Sequence, residues 1–385
     1  MELFEGNIIT KLPQTGTSIF AVMSQMASEY KAVNLSQGFP DFPISGELID
    51  LVHHFMKQGY NQYAPMPGVT VLRQMLSQMF ENNHGVKYDA DSEITITAGA
   101  TQAIYTAISA FVSKDDEVII FEPSYDSYAP SVIVNGGIVK YARLQYPDYS
   151  INWDELPRMI SSNTKMIIIN SPHNPTGSIM SKEDMLRLET LIKGRDIILL
   201  SDEVYEHLIF DGLQHQSASR FPNLASKSIV IGSFGKTFHT TGWKTGFVLA
   251  PKNIMAEFRK VHQFVVFAAN TPIQYAVAEY LKNPINYTSL GDFYQQKRDY
   301  FISAIAESKF KALTCHGTYF QLLDYRAISD EPEMEMATSL VKEFGIAAVP
   351  VSSFYRTKEN NHTLRFCFAK TEETLNKAAE ILCKI

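Results

Sequence analysis

From about residue 93 to residue 250 the chain repeats one unit: a short apolar run, a cluster of turn residues, then a stretch with helical spacing. EITITAG (93–99), DEVIIFEPSY, TKMIIINSPHNPTG, DIILLSDEVY, SIVIGSFGKT and KTGFVLAP read as six strands. TQAIYTAISAFV, after the first of them, repeats its apolar residues near the helical period. Unbroken apolar strands alternating with helices predict an α/β fold with a mostly parallel central sheet covered on both faces. Such a sheet gathers ligand-binding residues at the C-terminal ends of its strands. After about residue 280 the pattern changes to a long helix (DFYQQKRDYFISAIAES), then GTYFQLLDY, a further helix, GIAAVPVSSF and TLRFCFAK, a smaller α+β unit. The length of 385 residues favours two domains. The expected division is a large domain over 41–280 and a small one built from 1–40 and 281–385. No repeat, low-complexity segment or flexible linker interrupts it.

Composition excludes several function classes. Hydrophobic residues make up 45% and charged residues 19%, as in an ordinary globular protein. Arg and Lys number 34 against 41 acids, a net charge of −7 that offers no footprint for nucleic acid or an anionic membrane. The longest apolar stretch, FVVFAANTPIQYAVAEYL, is broken by Asn270, Gln274 and Glu279, so no membrane span is expected. MELFEGNIITKLP lacks the basic-then-apolar order of a signal peptide. Cys315, Cys367 and Cys383 are dispersed and odd in number, and read as reduced thiols of a cytoplasmic protein. With no CxxC or HExxH, no metal site is expected.

The stretch SFGKTFHTTGWKTGF (233–247) puts a GKT triplet after an apolar strand, as a P-loop does. That loop also needs a glycine six residues before its lysine, where this chain has Val230. A triphosphate cradle is therefore disfavoured, and Lys236 needs another explanation. Other strand ends carry notable residues: Asn174 in a turn, Asp202 with Tyr205 three residues on, and Ser233. Asp202 alone could be a helix N-cap, Asn174 an ordinary Asn-Pro turn, and Tyr205 packing. AGATQA, at a strand-to-helix junction, can aim free backbone N–H groups at an anion.

Taken in order and at this spacing, GFPDFP, NQYAPMPG, TAGATQA, PSYDSY, SPHNPTG, SDEVYEH, SFGKTFHTTGWKTGF and LRFCF resemble the pyridoxal-phosphate aminotransferases of fold type I. The likeness is strongest to the branch holding the methionine and kynurenine aminotransferases, and it runs from KLPQTGTSIF to RFCFAK. The resemblance implies that 41–280 binds pyridoxal 5′-phosphate. It implies that Lys236 forms a Schiff base with the cofactor aldehyde and, once freed, moves a proton between the substrate α-carbon and the cofactor. Asp202 would pair with the pyridine nitrogen, and Tyr205 and Asn174 would bond the phenolic oxygen. Phosphate contacts would come from Gly99, Ala100, Thr101, Ser233 and Lys244, with Tyr63 reaching the site of a neighbouring subunit in a homodimer. The commoner family pattern has arginine at the position of Lys244, and lysine keeps the charge without the planar fork. Tyr125 would stack on the ring. Arg365 would grip the substrate carboxylate, with Gly38 and Asn174 beside it. Phe20 and Phe267 would line the side-chain pocket, which suits large apolar, aromatic or sulfur-containing side chains.

The expected activity is a ping-pong transfer of an amino group from an amino acid to a 2-oxo acid, with methionine foremost and aromatic amino acids or kynurenine next. A cysteine-conjugate or cystathionine β-lyase uses the same fold and stays as the alternative. A non-catalytic aminotransferase-like ligand sensor is the rival of another class, weakened by the acidic balance and by the lack of room for a DNA-binding domain before residue 12.

Overall fold

The computed structural model describes Met1 and residues 3–385; Glu2, in the opening stretch read above for a leader, lies outside the described residues. The strands in chain order are β1 (Val33–Asn34), β2 (Ile94–Thr97), β3 (Glu117–Glu122), β4 (Ile138–Gln145), β5 (Ser150–Ile151), β6 (Thr164–Asn170), β7 (Ile198–Asp202), β8 (Ser228–Ser233), β9 (Gly246–Leu249), β10 (Lys311–Ala312), β11 (Phe320–Asp324), β12 (Ile346–Ala347), β13 (Val349–Pro350) and β14 (Thr363–Cys367). An eight-stranded sheet has the order β2-β9-β8-β7-β6-β3-β4-β5. A four-stranded antiparallel sheet has the order β10-β11-β14-β13.

Alternate residues of the large sheet feed two cores, as the two-residue side-chain period requires. Val118, Ile120, Met166, Ile168, Leu200, Ile229 and Ile231 point one way, onto Ala103, Ile104, Ala107 and Ile108 of the helix Ala100–Phe111. Ile119, Ile167, Leu199 and Val230 point the other way, into a core shared with Met185, Leu188 and Ile192 of the helix Lys182–Ile192. Burial on both faces is why these strands carry no polar alternation.

β3, β4, β6, β7 and β8 pair in parallel, as expected of a mostly parallel sheet, and two further features were not foreseen. β9 runs antiparallel to both β2 and β8, so the sheet is mixed. The link from β8 to β9 holds only a single helical turn (Phe234–Thr237) and a 3-10 turn (Thr241–Trp243), with no crossover helix to reset the direction. β4 was not foreseen. It lies next to the edge strand β5, and polar residues (Lys140, Arg143, Gln145) interrupt its apolar run, with burial alternating over its second half.

The segment before the large sheet is tied to the end of the chain. β1 pairs in parallel with β12, and the Cys367 N–H donates to the Leu35 carbonyl at 2.8 Å. This seats residues 33–38 beside β14. Among the described residues no helix is long and apolar enough to cross a membrane.

Candidate active site

Register brings the chemistry-bearing residues to one edge of the large sheet. Asn170 ending β6 lies opposite Asp202 ending β7, and Ser233 ending β8 lies opposite Gly246 opening β9. Thr97, ending β2, is also opposite Gly246. The helix Ala100–Phe111 therefore starts where β7 and β8 stop. Its N-cap, Gly99, has φ +82° and ψ 169°, a conformation that only glycine adopts without strain. A side chain at Gly246 would meet the Gly232 carbonyl oxygen at 2.7 Å, so glycine is needed there for the strand to approach the helix start.

A cavity of about 140 Å³ sits on this edge. Ten of the residues singled out above line it: Gly99, Ala100, Thr101, Tyr125, Asn174, Asp202, Tyr205, Ser233, Lys236 and Lys244. At one end are the N-terminal amides of the helix Ala100–Phe111, the Ser233 hydroxyl and Lys244. Ser233 Oγ accepts from the Lys236 N–H at 3.3 Å, which leaves its own O–H to donate. Lys244 adopts the left-handed backbone (φ 53°, ψ 54°) and is exposed. Helix amides, a hydroxyl and an ammonium make an anion cradle.

At the floor, Asp202 is 3% exposed and its carboxyl is pushed up to about 6 by loss of hydration, against a hydrogen bond from the Tyr128 hydroxyl at 2.5 Å. The Val204 N–H also donates to it, at 3.3 Å. Lys236 keeps some surface open to the cavity, but its amine lies in dry surroundings. Desolvation first, then the positive charge of Arg365, lowers it to about 8. Its Nζ donates to the Tyr319 hydroxyl at 2.9 Å and to the Gly38 carbonyl at 3.3 Å. An amine near neutrality facing a buried carboxylate across a cavity suits proton transfer and carbonyl chemistry.

Arg365, on β14, is 1% exposed. Its Nη1 donates to Asn174 Oδ1 at 2.7 Å and its Nη2 to the Ser36 carbonyl at 3.2 Å, while its Nε has no partner. Burial lowers it to about 10, so it stays cationic at neutral pH. Among the described residues no carboxylate lies within ion-pairing distance of it. Its guanidinium carbon sits 3.8 Å from the centre of the Phe320 ring and 5.1 Å from that of Phe20. A buried, unpaired guanidinium beside Asn174 is chemically able to receive a small carboxylate.

Five of the expected residues do not line the cavity. Arg365 joins it through Asn174, Gly38 through Lys236, and Phe20 through Arg365. Tyr63 and Phe267 pack edge-on at 5.1 Å and are 81% and 53% exposed. Phe20 packs instead against Phe354, at 5.9 Å, and Arg365. Three residues at the site were not foreseen: Tyr128 under Asp202, Tyr319 on Lys236, and Asn170, whose side chain accepts from the Asn174 N–H (2.8 Å) and donates to the Asp202 carbonyl (2.9 Å). Tyr128 lies within PSYDSY, three residues after Tyr125, and Tyr319 within GTYF, but neither position signals a partner so distant in sequence.

These observations agree with the relatives of the chain. The family model for aminotransferases of class I and II matches residues 30–382. The methionine aminotransferase of Escherichia coli is 47% identical over 374 residues, covering 97% of each chain. The human kynurenine–oxoglutarate transaminase 1 is 34% identical over 395 residues, covering 94% of each. A crystal structure from Escherichia coli, described as having a methionine aminotransferase function, superposes with a TM-score of 0.97 at 46% identity, covering 98% of this chain and all of that one. Members of this family use pyridoxal phosphate, and their fold type I architecture is the one described above. This chain belongs to the class I and II aminotransferase family.

Proposed function

We propose that this chain binds pyridoxal 5′-phosphate and moves the amino group of a large apolar, sulfur-containing or aromatic amino acid, methionine foremost, to a 2-oxo acid in ping-pong order. The observation that carries this reading is the pairing of the Lys236 amine, lowered to about 8, with buried Asp202 across a cavity that ends in an anion cradle. The residues fit the cofactor. Lys236 would hold its aldehyde, Asp202 its pyridine nitrogen, Tyr205 and Asn174 its phenolic oxygen, Tyr125 its ring face, and Gly99, Ala100, Thr101, Ser233 and Lys244 its phosphate. When bound, the cofactor supplies the electron sink that makes the substrate α-proton acidic.

Arg365 and Asn174 bind and orient the substrate carboxylate, which fixes the Cα–H bond relative to Lys236. Once freed, the Lys236 amine would take that proton from the substrate α-carbon and deliver it to the carbon that carried the cofactor aldehyde, two bonds away. Asp202 stays anionic above its own range, with the Tyr128 O–H holding its carboxylate in place. The sulfur and aromatic preference rests on the Phe20, Phe320 and Phe354 rings packed around Arg365, and on the methionine and kynurenine relatives at 47% and 34% identity.

The cradle end of the cavity is the open one, since Thr101 and Lys244 are exposed. This supports a homodimer in which Tyr63, and beside it Phe267, complete the partner's site. The expected domain division is supported by strand placement: β2–β9 fall within 41–280, while β1 and β10–β14 fall within 1–40 and 281–385. We also read the protein as cytoplasmic, from its unpaired cysteines.

A panel of amino donors against several 2-oxo acids tests the proposal. Methionine should consume a 2-oxo acid and yield its own 2-oxo acid in equal amount. Ammonia and pyruvate from cystathionine, with no need for an acceptor, would favour the β-lyase alternative. Lys236→Ala should abolish turnover and the visible absorption of the purified protein.

A further inference from the structure

Lysine carries its amine on a flexible four-carbon stem, and such a side chain is not confined by its own rotamers. An amine that must return protons to a fixed carbon needs a defined resting place within hydrogen-bond reach of it. The structure holds one. The Tyr319 hydroxyl donates to the Gly38 carbonyl at 2.6 Å and accepts from Lys236 Nζ at 2.9 Å, and Nζ also donates to that carbonyl at 3.3 Å. The three polar atoms close a triangle. A neutral amine spends both of its N–H bonds on these two acceptors. Lys236 lines the cavity and Tyr319 and Gly38 do not, so the remaining lone pair is left to the cavity side.

We infer that Tyr319 is the positioning residue for Lys236: its hydroxyl, pinned by the Gly38 carbonyl, is the berth that holds the lysine amine whenever that amine is free. The inference rests on the proposed role of Lys236.

Each corner of the triangle is itself fixed. Tyr319 is fully buried and meets Tyr205 edge-on at 5.1 Å and Phe320 at 4.8 Å. The backbone leading to it is tied to the loop that carries Asn174 and to the loop that follows Asp202. The Gly317 N–H donates to the Gly177 carbonyl at 3.0 Å, and the Thr318 N–H to the Leu208 carbonyl at 3.1 Å. A side chain at Gly317 would meet Pro172 at 2.7 Å, and one at Gly38 would meet the Phe320 ring at 2.8 Å. Packing alone would be served equally by phenylalanine at 319. A buried hydroxyl is costly unless bonded, and this one finds its bonds at Lys236 and Gly38.

The test reads the lysine directly. In the full-length chain freed of cofactor, the rate at which acetic anhydride acylates Lys236 is followed by mass spectrometry across pH. The charged and titratable groups facing this amine are Arg365 and Cys367 from β14, Lys244 from the turn before β9, and Asp202 from β7, with Tyr205 and Tyr319 in contact. Tyr319→Phe leaves all but one of them in place. Losing an acceptor disfavours the ammonium, so the acylation midpoint should fall by about one pH unit. In the loaded enzyme kcat should fall about tenfold or more, with KM for the amino acid held within about twofold. Tyr294→Phe is the control: that buried hydroxyl serves His239 Nδ1 at 2.7 Å, and its loss should leave the Lys236 midpoint in place. An unmoved midpoint in Tyr319→Phe, or an equal displacement in Tyr294→Phe, would overturn the inference. Should Tyr319→Phe fail to fold, a crystal structure of the unsubstituted chain soaked with amino acid decides. The freed Nζ is expected within hydrogen-bond distance of the Tyr319 hydroxyl, and a Nζ beyond about 4 Å from it overturns the berth. Retained turnover in Lys236→Ala would instead overturn the role of Lys236 itself, whatever the acylation profile.

Discussion

Asp202 and Lys236 are strained in opposite senses by the same burial. Unfolded, the carboxyl titrates near its ordinary value and the amine near 10.5; folded, they move to about 6 and about 8. A carboxyl raised on folding binds more protons in the folded chain between about pH 4 and 6, so stability falls as pH rises through that window. An amine lowered on folding binds fewer protons in the folded chain between about pH 8 and 10.5, so its contribution recovers as pH rises there. At neutral pH both charges weigh against the fold, as groups kept for chemistry often do. Asp202→Asn removes one of them and keeps an acceptor for Tyr128. In thermal melts of the cofactor-free chain at about pH 7.5 it should be more stable by roughly 1–3 kcal/mol, while kcat falls by orders of magnitude. A destabilised Asp202→Asn chain would show that the carboxylate is held for structure. Arg365→Lys keeps the charge but loses the planar fork, so kcat/KM for amino acids should fall about 10- to 100-fold, carried mainly by KM. An unchanged KM would detach Arg365 from carboxylate binding. Lys236, Asp202 and Arg365 could be singled out as candidates from the sequence because each stands in a recognisable local motif. Tyr128 and Tyr319 stayed hidden because their partners are 74 and 83 residues away, and no local pattern marks such a contact.

At the scale of elements, the cradle depends on how β2 hands over to the helix Ala100–Phe111. The Gly99 backbone, at φ +82°, turns the first helical amides toward the cavity. Gly99→Ala should therefore reorient Ala100 and Thr101. Cofactor affinity, read by fluorescence titration, should weaken about tenfold or more while the far-UV circular dichroism of the chain is retained. Wild-type affinity in this variant would place the phosphate elsewhere. The strands were legible where both faces are buried, as in β3, β6, β7 and β8, because their central residues form unbroken apolar runs. The reversal of β9 was not legible. Strand direction is set by the connection, and the segment after Lys236 contains no period that announces a return without a crossover. β4 was missed for a related reason: near the sheet edge its burial alternates over its second half, so the run IVKYARLQ carries no continuous apolar signal.

At the scale of the molecule, one chain brings buried Asp202, the helix amides with Ser233 and Lys244, and unpaired Arg365 to one place, and Thr101 and Lys244 at the helix-amide end are exposed. Tyr63, 81% exposed, packs edge-on against Phe267, and Phe264, three residues before Phe267, is 86% exposed. If sites are shared, mixing inactive Tyr63→Phe and Lys236→Ala chains should restore part of the activity, because one site of each heterodimer holds both native residues. No recovery in confirmed heterodimers would count against sharing. The central claim, however, concerns a single atom. Purified protein treated with borohydride, digested and sequenced by mass spectrometry, should carry the reduced cofactor on the peptide that contains Lys236 and lose its yellow colour. A colourless protein, or a label on Lys244 or any other lysine, would contradict the account.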